Sequence, residues 1–224
     1  GELDNTILKD QLNLMRVGEP MYVFYGYVED GYDENGHIVY KNMDDDPAIT
    51  AADKTIIGDP NPDFLVNLTT AVSYKGFTLS AFFQSSIGND IYSLSMAAQA
   101  YDYGYNGNTL REVYYNHWTP ENPTAKYPNL DQTSYKMSDR FVYDGSFVRL
   151  KNLELAYDVP CARNKFIKRA RVYVSAQNLF TITSYPFWDP DINANGGGSS
   201  MIQGVDSYCY PSARTYTIGC RLTF

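Results

Sequence analysis

Residues 214–224, RTYTIGCRLTF, alternate strictly between apolar and polar or small side chains, and this pattern constrains the fold more than any other feature. One parity carries the apolar set, Tyr216, Ile218, Cys220, Leu222 and Phe224. Successive side chains of a β-strand point to opposite faces, so the pattern predicts a strand with one apolar and one polar face. A strand of this kind that finishes on an aromatic residue is typical of lipid-facing barrels, with the ring at the membrane interface.

Five further stretches have strand character. They are residues 21–28, 64–74, 77–84, 147–159 and 172–177. The alternation is clean over 64–74 and 77–84, and Lys75-Gly76 between them predicts a tight hairpin turn. Residues 21–28 are nearly all apolar, so the faces of this strand cannot be assigned from the pattern.

The parity of the apolar residues slips within residues 147–159. Val148 and Leu150 follow one phase, whereas the later apolar residues of the stretch follow the other. A β-bulge near Lys151-Asn152 would restore the alternation. Arg149, Glu154 and Asp158 would then lie on one polar face of the strand.

The connections between these strands differ in length in a regular way. Short connections, 75–76 and 160–170, alternate with long ones, 30–62, 87–144 and 183–211. Outer-membrane barrels have short periplasmic turns and long extracellular loops, whereas the hairpins of a soluble sandwich have no reason to sort in this way. The sequence therefore predicts an all-β fold: about six antiparallel strands of a large transmembrane β-barrel with long extracellular loops. Six strands are too few to close such a barrel, and open sheet edges in lipid are costly, so we expect further strands from elsewhere.

Composition excludes several classes of protein. No apolar run approaches the ~20 residues of a membrane-spanning helix, and mean hydropathy is −0.39. The net charge of −8 and the lack of a basic patch argue against nucleic-acid binding. Aromatic residues make up 15%, including 21 Tyr, which suits membrane-interface belts or sugar- and peptide-binding loops. Cys161, Cys209 and Cys220 have no metal-like spacing. No secretion signal opens the chain, which suggests a piece of a longer protein.

Five longer motifs stand out along the chain. They are IIGDPNPDF (56–64), WTPENPTAKYP (118–128), FVYDGSFVRLKNLELAYDVP (141–160), VYVSAQNLFTITSYPFWDPD (172–191) and YPSARTYTIGCRLTF (210–224). In sequence and order they resemble the SusC/RagA group of TonB-linked outer-membrane transporters of Bacteroidetes. The resemblance implies that residues 1–224 are the C-terminal part of a TonB-dependent transporter barrel, with the plug and upstream strands outside this chain. Barrels of this kind have 22 strands and a plugged lumen.

The resemblance implies active import across the bacterial outer membrane and no enzymatic activity. A SusC-like barrel sits under a SusD-like surface lipoprotein that acts as a lid, and nutrient oligomers, glycans or peptides, are captured between them. The TonB complex, acting through upstream residues, displaces the plug so that the ligand passes. The implied partners are the remainder of the barrel with its plug, the lipoprotein, the TonB complex, outer-membrane lipid and the oligosaccharide or peptide ligand. The closing strand resembles the signal recognised by the barrel-assembly machinery, carried by Tyr216, Ile218, Leu222 and Phe224.

Residues 42–53, NMDDDPAITAAD, have the spacing of a calcium loop. The matching positions are Asn42, Asp44, Asp46, Ala48 through its carbonyl group, Thr50 and Asp53. Clustered oxygen atoms suit Ca²⁺ or Mg²⁺, although the implied function requires no cofactor. Pro47 replaces the usual glycine and Asp53 is shorter than the usual Glu, so a solvated acidic loop is the competing interpretation.

Aromatic residues of the long connections are candidate contacts for the ligand or the lid. They are Tyr101, Tyr103, Tyr105, Tyr114, Tyr115, Trp118 and Trp188. Flat rings stack on sugar faces and Tyr hydroxyl groups form hydrogen bonds; packing of the connections against one another is the competing interpretation.

The charged residues of the strands and the two histidines give weaker signals. Arg149, Glu154 and Asp158 could line the lumen, but we expect them to pair with each other or with the plug. His37 and His117 have no spaced partner, and the chain has no nucleophile elbow or phosphate loop, so no catalytic residue is predicted.

Two other functions fit parts of the pattern. A soluble, Tyr-rich carbohydrate-binding β-sandwich would remain in solution without detergent. A passive porin or adhesin barrel would occupy the outer membrane but would not depend on TonB.

Overall fold

The computed structural model describes residues 6–9, 12–101, 108–132, 134–161, 166–192 and 202–224. The strands in chain order are β1 Thr6–Lys9, β2 Asn13–Arg16, β3 Val23–Gly26, β4 Glu29–Tyr32, β5 Ile38–Tyr40, β6 Thr55–Gly58, β7 Phe64–Tyr74, β8 Phe77–Ile87, β9 Asp90–Ser93, β10 Val142–Asp144, β11 Phe147–Val159, β12 Arg169–Thr183, β13 Val205–Asp206 and β14 Thr215–Thr223. The helices are α1 Leu94–Tyr101 and α2 Arg111–Tyr115, with 3₁₀ turns at Ala51–Asp53 and Asp139–Phe141. None of the helices in these ranges has the length and apolar character that a membrane crossing requires.

The chain divides into two compact units. The wall unit comprises Pro62–Gly88, Gly145–Pro190 and Tyr210–Phe224. The loop unit comprises the three remaining segments, Gly1–Asn61, Asn89–Asp144 and Asp191–Cys209. Two of these three segments are the long connections between strands of the wall unit.

The wall unit contains one antiparallel sheet, the wall sheet, in the order β14-β12-β11-β8-β7. The β7–β8 hairpin turns through Lys75 and Gly76, whose φ angles of 47° and 87° are both positive, as a type I′ turn requires. The backbone twist of a type I′ turn matches the twist of the flanking strands, and Tyr74 pairs directly with Phe77. The predicted hairpin is confirmed.

One face of the wall sheet is apolar and exposed. A single row crosses all five strands, formed by Val72, Leu79, Leu155, Val174 and Ile218. These five side chains are 66%, 47%, 49%, 52% and 84% exposed. Apolar rows of this extent are rare on the surface of a soluble protein, and a sandwich would bury them against a second sheet. The exposed row fits a face that contacts hydrocarbon.

The predicted bulge in β11 is confirmed. The pairing register shifts between Leu150 and Asn152 against both neighbouring strands, β8 and β12. The shift keeps Leu153 and Leu155 on the apolar face, in phase with Val148 and Leu150. It also keeps Arg149 and Glu154 on the polar face, as expected.

The wall sheet is open on both sides. Within the described part of the chain, no strand pairs with the outer edge of β7 or of β14. Unpaired backbone groups at a sheet edge cost several kcal/mol each in lipid. The sheet therefore requires additional strands, and it is a fragment of a larger barrel.

The loop unit has its own core, built from all three of its segments. Phe24 of β3, Tyr92 of β9 and Phe141 are fully buried, with Tyr92 5.8 Å from the Phe24 ring and 6.0 Å from the Phe141 ring. Val113 of α2 and Val205 of β13 complete the same cluster. The unit's strands form a four-stranded sheet β1-β2-β3-β6, a three-stranded sheet β10-β9-β13 and the hairpin β4-β5.

The assignment of residues 21–28 to the barrel strands is wrong. This stretch contributes only Val23–Gly26, which pairs with β2 and β6 in the loop unit. The physical reason is burial on both faces: Val23 and Phe24 are 1% and 0% exposed. A strand buried on both sides needs no alternation, which is why the pattern was ambiguous. The long connections are likewise not irregular, because they carry strands, helices and core residues.

Candidate functional site

The polar face of the wall sheet contains a buried ion pair between Arg149 and Asp189. Arg149 is 1% exposed and Asp189 is 6% exposed. The Arg149 Nη2 atom donates to Asp189 Oδ1, and its Nε atom donates to Thr181 Oγ1 at 2.9 Å. Asp189 Oδ2 also accepts the backbone N–H of Ser212 at 2.9 Å. The guanidinium group is therefore paired and hydrogen-bonded, as a buried charge must be.

This ion pair connects three of the sequence motifs. Arg149 belongs to FVRLKN, Asp189 to FWDPD and Ser212 to YPSARTYT. The pair fastens the segment that follows β12 and the segment that precedes β14 to the face of β11. Sequence reasoning identified Arg149 but missed Asp189 and Ser212. The available signal for a buried partner was Arg149 itself, the single arginine of a strand in which most residues are apolar.

A cavity of about 330 Å³ lies beside the ion pair in the wall unit. Its lining includes Arg149, Asn178, Trp188 and Arg214. The Trp188 side chain is 57% exposed and stacks on Phe187 with 5.1 Å between ring centroids. Of the predicted aromatic contacts, Trp188 is therefore held beside a polar cavity with one ring face available.

The two acidic residues of β11, Glu154 and Asp158, pair with Arg171 of β12. Arg171 lies 3.7 Å from Glu154 and 3.5 Å from Asp158, measured between nitrogen and oxygen atoms. Arg149, Glu154 and Asp158 thus form ion pairs with other strands and segments of the wall unit, whereas the sequence predicted pairs among the three or with the plug.

Tyr114 and Tyr115 form an exposed aromatic pair in the loop unit. Their side chains are 60% and 70% exposed, and their rings meet edge to face at 5.3 Å. The Tyr114 carbonyl group also contacts His117 Nδ1 at 2.7 Å. Both rings at the end of α2 are free to contact a partner.

Trp118 packs against its own chain. A Cβ atom at Gly36 would lie 2.3 Å from the Trp118 ring, and Gly36 has a φ angle of +79°. The Trp118 backbone N–H donates to the carbonyl of Tyr127 at 2.8 Å. Of the other candidates, Tyr101 is the last residue of α1, and Tyr103 and Tyr105 lie outside the described residues.

The acidic loop is held by hydrogen bonds from its side chains to its backbone. Asn42, Asp44 and Asp46 each accept the N–H two residues further on, at 3.1, 2.8 and 3.0 Å. Within the described ranges no group of three or more His, Cys, Asp or Glu side chains is arranged to hold a metal ion. The calcium or magnesium site at Asn42, Asp44, Asp46, Ala48, Thr50 and Asp53 stays a prediction.

Asp53 closes this loop from a buried position. Its Oδ1 accepts the N–H of Met43 and its Oδ2 accepts the N–H of Thr50, both at 2.7 Å. The Thr50 hydroxyl group in turn accepts the N–H of Ala52, which completes a capping box around the 3₁₀ turn. The Met43 and Thr50 hydrogen bonds lower the pKa of Asp53 below that of an ordinary carboxyl group.

A second, partly buried ion pair ties the β4–β5 hairpin to the segment before β10 in the loop unit. The Glu29 carboxylate accepts from Arg140 Nε at 2.6 and 2.5 Å and from Ser138 Oγ at 3.1 Å. Burial raises the pKa of Glu29, and this effect exceeds the lowering by Arg140. Burial also raises the pKa of Tyr40 to about 12, so its hydroxyl group stays protonated and accepts the Lys136 N–H.

The loop unit also carries an open cleft of about 750 Å³. Its rim includes His37, whose Nε2 atom lies 2.9 Å from Asp131 Oδ1. Gln132 and Tyr40 line the same cleft, but their polar groups already bond the backbone N–H groups of Ile38 and Lys136. Residues from two distant segments, 37–49 and 131–136, line the cleft, and the polar groups named above already have hydrogen-bond partners.

The closing strand presents its apolar parity outward. Tyr216, Ile218, Leu222 and Phe224 are 68%, 84%, 46% and 71% exposed. On the opposite face, a Cβ atom at Gly219 would lie 2.4 Å from the Tyr173 ring, so glycine is needed there for the ring to lie across β14. The exposed parity is available to lipid or to an assembly factor, and its role as an assembly signal stays a prediction.

No protein-family model matches the chain. Two curated relatives are the TonB-dependent receptor P3 of Formosa agariphila, 32% identical over 97% of this chain, and the TonB-dependent receptor SusC of Bacteroides thetaiotaomicron, 30% identical over 93%. The chain spans 23% and 20% of the length of these relatives. Two structures of the RagAB peptide importer, in the open-open and closed-closed states, superpose with TM-scores of 0.81 and 0.83 at 26% identity. Each superposition covers all of this chain and about a quarter of the other one.

An antiparallel sheet with one exposed apolar face and two open edges defines a segment of an outer-membrane β-barrel. With the relatives above, it confirms the resemblance seen in the motifs. The chain belongs to the SusC/RagA group of TonB-linked outer-membrane proteins.

Proposed function

We propose that this chain forms part of the wall of a TonB-dependent importer that moves nutrient oligomers, glycans or peptides, across the bacterial outer membrane. The exposed apolar row from Val72 to Ile218 is the observation that carries the proposal, because it is suited to lipid and unsuited to water. The polar face, with its buried Arg149, would turn toward the lumen. Relatives described as TonB-dependent receptors and as a peptide importer support the transport role.

The proposed mechanism involves no covalent chemistry and no enzyme. The wall confines the ligand and a plug from outside this chain blocks the lumen until TonB displaces it. A SusD-like lipoprotein would cover the outer opening, and the exposed rings of Tyr114, Tyr115 and Trp188 would contact the ligand or this lid. The same side chains indicate the class of substrate, because flat rings and polar groups suit an oligosaccharide or a peptide.

Fractionation of cells and deletion of TonB test the proposal together. The full-length protein should partition with the outer membrane and require detergent for release, and uptake of its ligand should stop without TonB. A protein released by salt or buffer alone would indicate the soluble carbohydrate-binding sandwich. Uptake that survives the loss of TonB would indicate a passive porin, and either result would overturn the proposal.

A further inference from the structure

The polar face of the wall sheet carries an unbalanced row of charges near its short turns. Asp158 of β11, Arg171 of β12 and Arg221 of β14 lie directly opposite one another in neighbouring strands. Side chains in this relation have Cβ atoms about 5 Å apart, and like charges placed so are destabilising. The row therefore places two guanidinium groups side by side and only one carboxylate at its end.

The nearby carboxylates already form ion pairs with Arg171. Arg171 contacts both Glu154 and Asp158. In the described residues, Arg221 forms no ion pair or hydrogen bond through its side chain, although it is exposed on the same face. Gly219 lies two residues before Arg221 on the same face, and the Tyr173 ring lies against it. Tyr173 therefore offers Arg221 an aromatic ring and no negative charge.

The remaining neighbour of Arg221 lies across the open edge of β14. Its outer edge has no partner among the described strands, and a strand must pair there if the sheet is to exist in lipid. That strand will place one side chain directly opposite Arg221, on the polar face. A carboxylate at this position would separate and balance the two arginines.

We propose that the strand that pairs with the outer edge of β14, from outside this chain, carries Asp or Glu directly opposite Arg221. The row would then read carboxylate, arginine, arginine, carboxylate across four strands. The inference rests on the proposed function, since only a closed barrel demands a strand at this edge.

Cysteine cross-linking in the full-length protein identifies the opposing residue. In a cysteine-free background, Arg221→Cys would be combined with single cysteines along the neighbouring strand, and disulfide formation would be followed in isolated outer membranes. The highest yield should come from the position directly opposite, because diagonal neighbours are too far apart for a disulfide. We expect that position to be Asp or Glu in the natural sequence; a neutral or basic residue there would overturn the proposal.

A charge exchange then tests whether the two residues interact. Replacing the opposing carboxylate with Arg should lower the midpoint of heat unfolding of the detergent-solubilised protein by several degrees, because Arg221 would then have an arginine on each side. Arg221→Glu in the same molecule should restore most of the loss, whereas Thr217→Glu, on the same face of β14, is the matched control and should not restore it. A loss that follows replacement of a carboxylate in the plug with Arg, and not replacement of the strand residue, would show that the plug supplies the counter-charge, which would also overturn the proposal.

The two proposals fail in different ways. If the protein is not an outer-membrane barrel, it will not fractionate with that membrane, and the Arg221→Cys variant will form no disulfide with any strand. If the barrel forms but the residue opposite Arg221 is not acidic, only the present inference fails.

Discussion

Arg149 is buried because two distant parts of the chain bring it partners. Asp189 is 40 residues away and Ser212 is 63 residues away. Removing one member of a buried ion pair leaves the other charge without compensation. Removing one member of this pair should therefore cost far more stability than removing one of the exposed contacts of Arg171.

Asp189→Asn should destabilise the full-length protein by about 3–5 kcal/mol, the usual cost of breaking a buried pair. The measurement is the midpoint of denaturant unfolding in detergent. Asp158→Asn is the control, since its carboxylate is 59% exposed in the pair with Arg171 and should cost at most about 1 kcal/mol. Equal losses in the two variants would contradict the assignment.

The pKa of Asp53 predicts a pH dependence for the acidic loop. Its folded pKa is lowered by the Met43 and Thr50 hydrogen bonds, so the folded loop binds this proton less tightly than the unfolded chain. The stabilisation is complete above the ordinary carboxyl pKa and is lost as pH falls through the lowered folded value. The protection of the Met43 and Thr50 amide groups against hydrogen exchange, measured relative to the intrinsic rate at each pH, should fall over that acid range.

In Asp53→Asn the same amides should be less protected already at neutral pH, with little further loss of protection in acid. Asp45→Asn, in the same loop but without a role in the cap, is the control and should keep the natural profile. An Asp53→Asn protein with the natural profile would show that another group governs the loop.

At the scale of the strand, the two faces of β12 differ in what they tolerate. Val174 is 52% exposed on the apolar face, and Ser175 follows it on the polar face. Val174→Arg should cost about 2–4 kcal/mol near the middle of the bilayer, whereas Ser175→Arg should cost much less. Equilibrium unfolding in lipid vesicles measures both, and a larger loss for Ser175→Arg would invert the assignment of the faces.

The acidic loop is the element for which a metal is predicted. Calorimetric titration in millimolar calcium should give heat of binding that disappears in Asp44→Asn and Asp46→Asn. Asp45→Asn again serves as the control, because position 45 is not among the predicted ligands. If calcium gives no heat of binding with the natural protein, the metal site is contradicted and the loop is a solvated turn.

The strand pattern and the small-scale irregularities were predictable because period-two alternation reports on a sheet with one apolar and one polar face. The β7–β8 turn and the bulge at Leu150–Asn152 followed from it directly. β3 was misplaced because a strand buried on both faces carries no alternation. The Arg149–Asp189 pair was missed since contacts between residues 40 apart leave no periodic signal.

At the scale of the whole molecule, substitutions of the two tryptophans should distinguish a role in ligand contact from a role in packing of the loops. Trp188→Ala should weaken uptake of a labelled oligomer more than it lowers the unfolding midpoint, because the ring is exposed beside a polar cavity. Trp118→Ala should do the reverse, because its ring packs on Gly36. Unchanged uptake and growth on the ligand with Trp188→Ala at normal expression would contradict the role proposed for this ring.

The pairing of β8 with β11 has a consequence for how this family can diversify. It brings the backbone N–H of Gly88 to 3.0 Å from the Ser146 hydroxyl group, although the two residues are 58 positions apart. The ends of the excursion between them are thus anchored by the sheet, and loop closure costs only about 0.6 kcal/mol more for each doubling of length. Evolution can therefore lengthen the surface turns within this excursion at little entropic cost, while the strands of the wall sheet and the core residues of the excursion keep their sequence.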